Sequence, residues 1–497
     1  MMKKTLYTLL VAQLFLLLLW GNSFAFTGEL WGKEVDVKGS IQQTMNIKTH
    51  EDERDIRYQS FRSTLRGELL YQLAEGPNLN MQFYTLANYY YDYVLDIDTN
   101  HRHAVRDEAG GRRKYRDVRR PRDSDEWLSE LYADVKYKDF QVRLGKQLVS
   151  WGETAESRVA DLINPLDIKY LIAFPDWEDY KLGLWMARMY YTPPNMWQNL
   201  SFELIVIPFD FLETRTPPAG HAIYAGTPVL PDGWFQRVLD SQRRDRPADT
   251  LKNLEIGLRI RGYSNIGEGV DWTLSHFYTR LDTPIIDGAE GQSNLMGVLL
   301  TGRQRGTIWT YPHYNSTAFT FSTTWHKIAS TIRGECAYNT NRDYNYGTAA
   351  NNVSSTKEKD LLTIALTLDR KTMVPWLSEW NRSRTVDFSF TFYQYWLLNH
   401  EYDKSTGEYL LWESGTRDSS WTKFTLSATT GFFFDSLITR MNFAYDVNGN
   451  STIMPMIVYQ PGDHWQWVLV YQQFNEGRVV PETRYGNQVL LSARYEF

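Results

Sequence analysis

Leu254-Glu255-Ile256-Gly257-Leu258-Arg259-Ile260-Arg261 alternates apolar residues with small or charged ones from end to end. Side chains of a strand point to opposite faces in turn. Leu254, Ile256, Leu258 and Ile260 therefore share one face, and Glu255, Gly257, Arg259 and Arg261 share the other. The same period of two recurs along the chain. Leu131, Ala133, Val135 and Tyr137, with Trp127 in phase, alternate with Glu126, Glu130, Asp134 and Lys136. Leu362, Ile364, Leu366 and Leu368 alternate with Thr363, Ala365, Thr367 and Asp369. Val386, Phe388, Phe390 and Phe392 alternate with Asp387, Ser389, Thr391 and Tyr393. At the end, Val489, Leu491, Ala493, Tyr495 and Phe497 oppose Gln488, Ser492, Arg494 and Glu496.

A soluble antiparallel sheet with one wet face alternates in the same way. The connections separate it from a membrane barrel. The pattern predicts about 18 strands (about 16–18) of roughly ten residues or more, the length that crosses a bilayer at barrel tilt. Short links fall at Glu75-Gly76-Pro77, Lys138-Asp139, Asn265–Gly269, Lys327-Ile328, Phe434-Asp435 and Pro461-Gly462-Asp463. Long ones fall near 94–125, 151–177, 209–250, 283–308, 343–356 and 400–417. Short turns on one side and long loops on the other predict an all-β fold: a transmembrane antiparallel β-barrel with short periplasmic turns and long extracellular loops. Tyr89-Tyr90-Tyr91, Tyr190-Tyr191, Trp272, Phe432-Phe433-Phe434, Trp465 and Trp467 lie near strand ends, where aromatic girdles meet the two interfaces.

Composition agrees. Of 497 residues, 18 are Trp, 32 Tyr and 24 Phe, which argues against disorder. No apolar run approaches the roughly 20 residues of a membrane helix. The single Cys336 excludes a disulfide scaffold. The formal charge of −6 gives no sign of a nucleic-acid partner.

Lys3 and Lys4, the apolar run Leu9–Trp20 and Ser23-Phe24-Ala25 form a secretory signal peptide over residues 1–25. Residues 26–497 are then one transmembrane barrel domain, and losing the two lysines moves the charge from −6 to −8. The closing Arg494-Tyr495-Glu496-Phe497 resembles the C-terminal signature of Gram-negative outer-membrane proteins, which hand this strand to the barrel-assembly machinery through a terminal Phe, here Phe497.

Leu144-Gly145-Lys146-Gln147, Trp151-Gly152-Glu153 and Ile163-Asn164-Pro165-Leu166-Asp167 form a block of about 25 residues. It resembles the outer-membrane β-barrel family known as domain of unknown function 1302 (DUF1302), and is more loosely similar to the alginate-export porin family. The resemblance implies a barrel of about eighteen strands with a transport role and no agreed substrate. Lys146 stands where the pattern has Arg, which keeps the charge but loses bidentate anion geometry. By strict alternation Lys146 shares the lipid face with Phe140, Val142 and Leu144, where it would cost ~2–4 kcal/mol at the midplane. Either it lies at the rim, or, as we prefer, Gly145 forms a bulge that turns the following residues inward.

The polar stripes predict a lumen wall that includes Arg62, Arg66, Glu68, Glu130, Asp134, Arg143, Glu255, Arg259, Arg261, Arg333, Glu335, Arg440 and Arg494. Mixed signs imply weak ion selectivity, though opposed ladders can order polar solutes at a constriction. The loop near 151–177, with Lys146 at its root and Trp151, Glu153, Asp161, Asn164 and Asp167 along it, is the candidate constriction. Ala155–Ile163 has helical spacing, with Val159, Leu162 and Ile163 on one side, until Pro165 breaks it. Such a loop folds into the lumen or packs as an external lid. A second loop carries Arg112, Arg113, Lys114, Arg116, Arg119, Arg120 and Arg122, a basic patch suited to lipopolysaccharide phosphates or an anionic polymer.

The expected function is an outer-membrane porin-like channel for passive passage of a small or polymeric solute, in a Gram-negative cell. Its partners are outer-membrane lipid and lipopolysaccharide, an unknown solute and a possible periplasmic export partner. No cofactor or metal is implied, and no spacing recommends a catalytic triad. The alternative is a partner-gated export conduit, or a surface-binding or adhesin barrel without open-pore activity.

Overall fold

The computed structural model describes residues 26–497 apart from 50–57, 109–118, 122, 155–157, 169–179, 195–198, 216–242, 249, 288–307, 350–351, 378–384, 412–417, 448 and 476–486. The alternating stretches form eighteen long strands: β1 (Lys33–Lys48), β2 (Tyr58–Glu75), β3 (Leu79–Asp92), β4 (Leu128–Tyr137), β5 (Phe140–Gln147), β6 (Leu184–Tyr191), β7 (Ser201–Ile207), β8 (Glu255–Ser264), β9 (Val270–Arg280), β10 (His313–Trp325), β11 (Ser330–Ala349), β12 (Asn352–Met373), β13 (Thr385–Leu397), β14 (Ser420–Phe432), β15 (Leu437–Asp446), β16 (Ser451–Tyr459), β17 (Trp465–Asn475) and β18 (Gln488–Glu496). Each pairs antiparallel with the next. β18 returns to β1, Ser40–Lys48 against Gln488–Glu496, and closes the barrel. Closure removes the open sheet edge that a bilayer does not tolerate. Phe497 extends this seam: Gly39 and Phe497 exchange two backbone hydrogen bonds of 2.8 Å.

The two faces follow the sequence alternation. Ile256, Leu258, Leu274, Phe319, Leu366, Leu368, Phe388, Phe390 and Leu491 are exposed outside, while Glu255, Arg259, Thr273, Glu335, Thr367, Thr391 and Ser492 are buried inside. Exposed Tyr137, Phe140, Tyr191, Trp325, Trp376 and Phe434 ring the short-turn end, and Phe140 stacks on Tyr191 with ring centroids 4.5 Å apart.

Two features differ from the sequence reading. The expected long loop at 343–356 is a hairpin extension: β11 and β12 stay paired out to Ala349 and Asn352, with register shifts on the way. The inner wall is also not polar throughout. Met456, Val458, Val468, Val470 and Leu490 form a buried apolar stripe on the inner face of β16–β18. Trp467-Val468-Leu469-Val470 is apolar at every position, so periodicity carries no inside-outside signal there.

Candidate functional site

The site is built by residues 148–183, which join β5 to β6. Its described parts pack against inward-facing side chains of the barrel. Val149, Trp151 and Ile163 join Leu184 and Met186 of β6, Ile205 and Ile207 of β7, and Phe277 of β9. The Trp151 indole lies on Gly257 of β8, where even a Cβ would come within 2.7 Å of the ring. Further on, Val159 and Ala160 pack with Ala318, Ala337, Ala365 and Tyr393 of β10–β13. At its outer edge the segment leans on the 208–254 connection, through the Leu166 amide donating to Thr214 Oγ1 at 3.1 Å.

The expected short helix over 155–163 is absent among the described residues. Amides of the segment bind the barrel wall instead. The Glu335 carboxylate on β11 accepts from the amides of Glu153 and Thr154 at 2.5 Å, from Thr154 Oγ1 at 2.8 Å and from the Ala160 amide at 3.0 Å. Arg333 Nη1 donates to the Glu153 carbonyl at 2.5 Å. Asn164 ties both ends together: its Oδ1 accepts from the Val149 amide at 2.7 Å, and its Nδ2 donates to the carbonyls of Gln147 and Leu182 at 3.0 and 2.8 Å. Asp161 pairs with Lys181 at 2.6 Å, and Asp167 and Glu126 face Arg215 at 3.9 and 3.4 Å. Arg158 spans the turn to the Asn164 carbonyl at 2.7 Å and to Asp282 at 2.9 Å. Burial works against the Asp282 carboxylate, but the Arg158 guanidinium and the Thr214 hydroxyl outweigh it and hold the carboxyl below the usual range.

The expected bulge at Gly145 is also absent. The ladders to β4 and β6 run through Gly145 and Lys146 without a register shift. Gly145 instead adopts φ +134°, and a Cβ there would lie 2.1 Å from the Leu131 carbonyl oxygen. Lys146 keeps its register position yet is fully buried, with Nζ 3.1 Å from Asp125, so the charge never meets lipid. Gly145→Ala should therefore destabilise the folded barrel by about 3 kcal/mol, from the forbidden φ and the carbonyl clash together. A lowered urea midpoint in lipid vesicles checks this, and an unchanged midpoint refutes it.

The remaining predicted residues are distributed around the wall. Arg143 pairs with Asp134 at 2.6 Å, Arg333 with Asp369 at 2.7 Å and Arg494 with Glu496 at 2.9 Å. Arg440 donates to Thr429 Oγ1 at 3.2 Å, Glu130 accepts from the Leu148 amide at 3.0 Å, and Glu255 accepts from Thr279. Arg261 is exposed towards the short-turn end of β8. Arg259 and Arg188 share Glu203, each 2.5 Å away, and the Arg259 guanidinium lies 5.1 Å from the centre of the Trp151 ring. Arg188, Glu203, Arg158, Lys181 and Arg215 were not among the candidates. Glu203 had a signal: it is the one charge in Ser201–Ile207. In the basic loop, Arg119 bonds Tyr91 and Asp96, and Arg120 is exposed. Arg112, Arg113, Lys114, Arg116 and Arg122 lie outside the described residues.

Spaces flank the segment on both sides. On one side, about 110 Å³ lies between Asp125, Asp167 and Lys181 and the wall residues Arg62, Arg66 and Arg494. An adjoining space of about 430 Å³ shares Ser40, Arg66 and Arg494 with it and reaches Glu68, His464 and Phe497 at the short-turn end. On the other side, towards the opposite end of the barrel, lies a cavity of about 780 Å³ floored by Val159, Leu162 and Leu166.

A closed eighteen-strand antiparallel barrel, apolar outside and charged within, defines a porin-like outer-membrane barrel. The chain belongs to the family described as "Protein of unknown function (DUF1302)", which matches residues 22–497. No curated protein matches it. Among solved structures, the outer membrane protein OpdK of Pseudomonas aeruginosa is 8 % identical, with 93 % of this chain and 98 % of that one aligned at a TM-score of 0.51. OccAB2 of Acinetobacter baumannii is 10 % identical over 93 % and 98 %, at 0.48. At such identity the likeness to OpdK shows the fold alone, and that fold supports an outer-membrane location.

Proposed function

We propose that this barrel is a passive outer-membrane channel for a small or polymeric solute, narrowed by residues 151–177. The observation that carries the reading is the gap beside the inward segment: the two adjoining spaces that share Ser40, Arg66 and Arg494. A barrel of this width is not filled by its own side chains, so a path through it is the default, and the segment sets its width. Arginines on the wall face Asp125, Glu126 and Asp167 across the gap, a transverse arrangement that aligns polar solutes. In the same reading residues 1–25 direct export, Phe497 is the handle for barrel assembly and the basic loop meets lipopolysaccharide.

The test is single-channel recording of the mature chain in a planar bilayer. The expected result is stable conductance steps that grow when residues 151–167 are shortened. A barrel folded by circular dichroism but silent, before and after shortening, sinks the passive-channel reading in favour of a partner-gated conduit or a surface-binding barrel.

A further inference from the structure

The larger cavity, on the far side of the inward segment from the arginine-lined gap, has a chemistry of its own. Its floor is the apolar Val159 and Leu162. Its walls carry Trp309, Tyr314, Tyr344, Tyr393, Tyr395 and Trp421. The Tyr395 and Trp421 rings lie 4.9 Å apart and form one aromatic wall. Among these rings stand Arg158, Arg280, Arg342 and Lys423, four positive charges against two negative ones on Asp282 and Asp343. The cations are set beside the rings: Arg342 lies 5.3 Å from the Tyr344 centroid and Lys423 5.6 Å from that of Tyr393. Arg158 pairs with Asp282, and the lining as a whole carries two more positive than negative side chains.

Polar atoms on the same lining that make no hydrogen bond include the indole N–H groups of Trp309 and Trp421 and the Asn339 carbonyl oxygen. Asn339 is only 4 % exposed. Buried donors and acceptors are normally paired, and such exceptions mark places where something else supplies the partner.

We propose that this cavity binds an organic anion with a flat apolar body. The rings and the apolar floor take the body, the excess positive charge takes the anionic group, and the two indole donors take acceptor oxygens. A bare inorganic anion leaves the rings uncovered. An organic cation meets a lining of net positive charge. A neutral apolar molecule leaves the donors unpaired. The inference rests on the channel reading, since it names the class of solute that the vestibule collects.

The experiment is isothermal titration calorimetry on the full mature chain in phosphatidylcholine nanodiscs, with 1-naphthoate as probe. 1-Naphthylmethylamine and acetate serve as controls that keep the ring or the charge alone. The expected result is roughly tenfold or tighter binding of 1-naphthoate over either control. Trp421→Phe, which keeps a ring and loses the donor, and Lys423→Gln should each weaken that binding several-fold. Equal binding of the amine, or no heat from 1-naphthoate, overturns the proposal. So does binding that neither variant changes. The two readings fail separately: a conducting barrel that ignores 1-naphthoate removes this inference alone, whereas a silent barrel that binds it removes the passive channel alone.

Discussion

Glu335→Ala should raise the single-channel conductance, by roughly twofold if the freed segment leaves the lumen, since current follows the open cross-section. The carboxylate receives four hydrogen bonds from the segment, three of them from backbone amides. Hydrogen bonds to a charged acceptor are worth about 1.5–3 kcal/mol each when dry. The lumen is wet and water takes up released amides, so we assign the whole set about 3 kcal/mol. That shifts the ratio of anchored to released segment by roughly a hundredfold. Arg333 and the small-residue seat of Ala318, Ala337 and Ala365 remain, so the variant should flicker between two levels rather than stay open. Glu335→Gln keeps one acceptor oxygen but turns an amide donor against another N–H, and should fall between the two. Conductance and noise unchanged in Glu335→Ala would mean that Asn164, Arg158 and the Trp151 contacts hold the segment unaided.

The strands were legible because a membrane barrel writes its two solvents into alternate positions of the chain. Ile256 and Leu258 are exposed and Glu255 and Arg259 buried, as the opening octapeptide requires. Legibility fails where that contrast fails, as at Trp467–Val470 on β17. It also fails where the partner is remote. The spacing of Ala155–Ile163 suits a helix, but Glu335, 182 residues beyond Glu153, gathers the amides of Glu153, Thr154 and Ala160 and holds the segment against β11. Nothing near residue 155 announces that acceptor. The alternation suggests a bulge at Gly145, whereas the residue takes a positive φ within an unbroken ladder, a conformation that periodicity does not encode. Asn164 stands in the family block and Asp161 on the same candidate loop. Their actual work, clamping the two ends of the segment and pairing with Lys181, follows only from the closed barrel that brings β5 and β6 together.

Glu203→Ala should cost the barrel about 3 kcal/mol of stability, read as a lowered urea midpoint in vesicles, because it strands two buried guanidinium groups with no anion between them. Arg188 and Arg259 each lie 2.5 Å from this carboxylate, on opposite oxygens. All three side chains are at most 10 % exposed. Two cations and one anion already carry a net positive charge, so removing the anion leaves repulsion as well as lost attraction. The usual loss for breaking a buried pair is about 3–5 kcal/mol, and hydration from the lumen places this case at the lower end. Glu203→Gln keeps both acceptor positions in part and should lose about half as much. The effect also reaches the inward segment. Arg259 rests against the Trp151 ring, and Trp151 is seated on Gly257 one strand position pair away. A freed Arg259 seeks water and withdraws from the indole, so Glu203→Ala should shift tryptophan emission and raise conductance noise, while Trp151→Phe in the same background adds little to either. A loss below about 1 kcal/mol would show that the three charges are solvated individually and that the wall, not this triad, sets the stability beside Trp151.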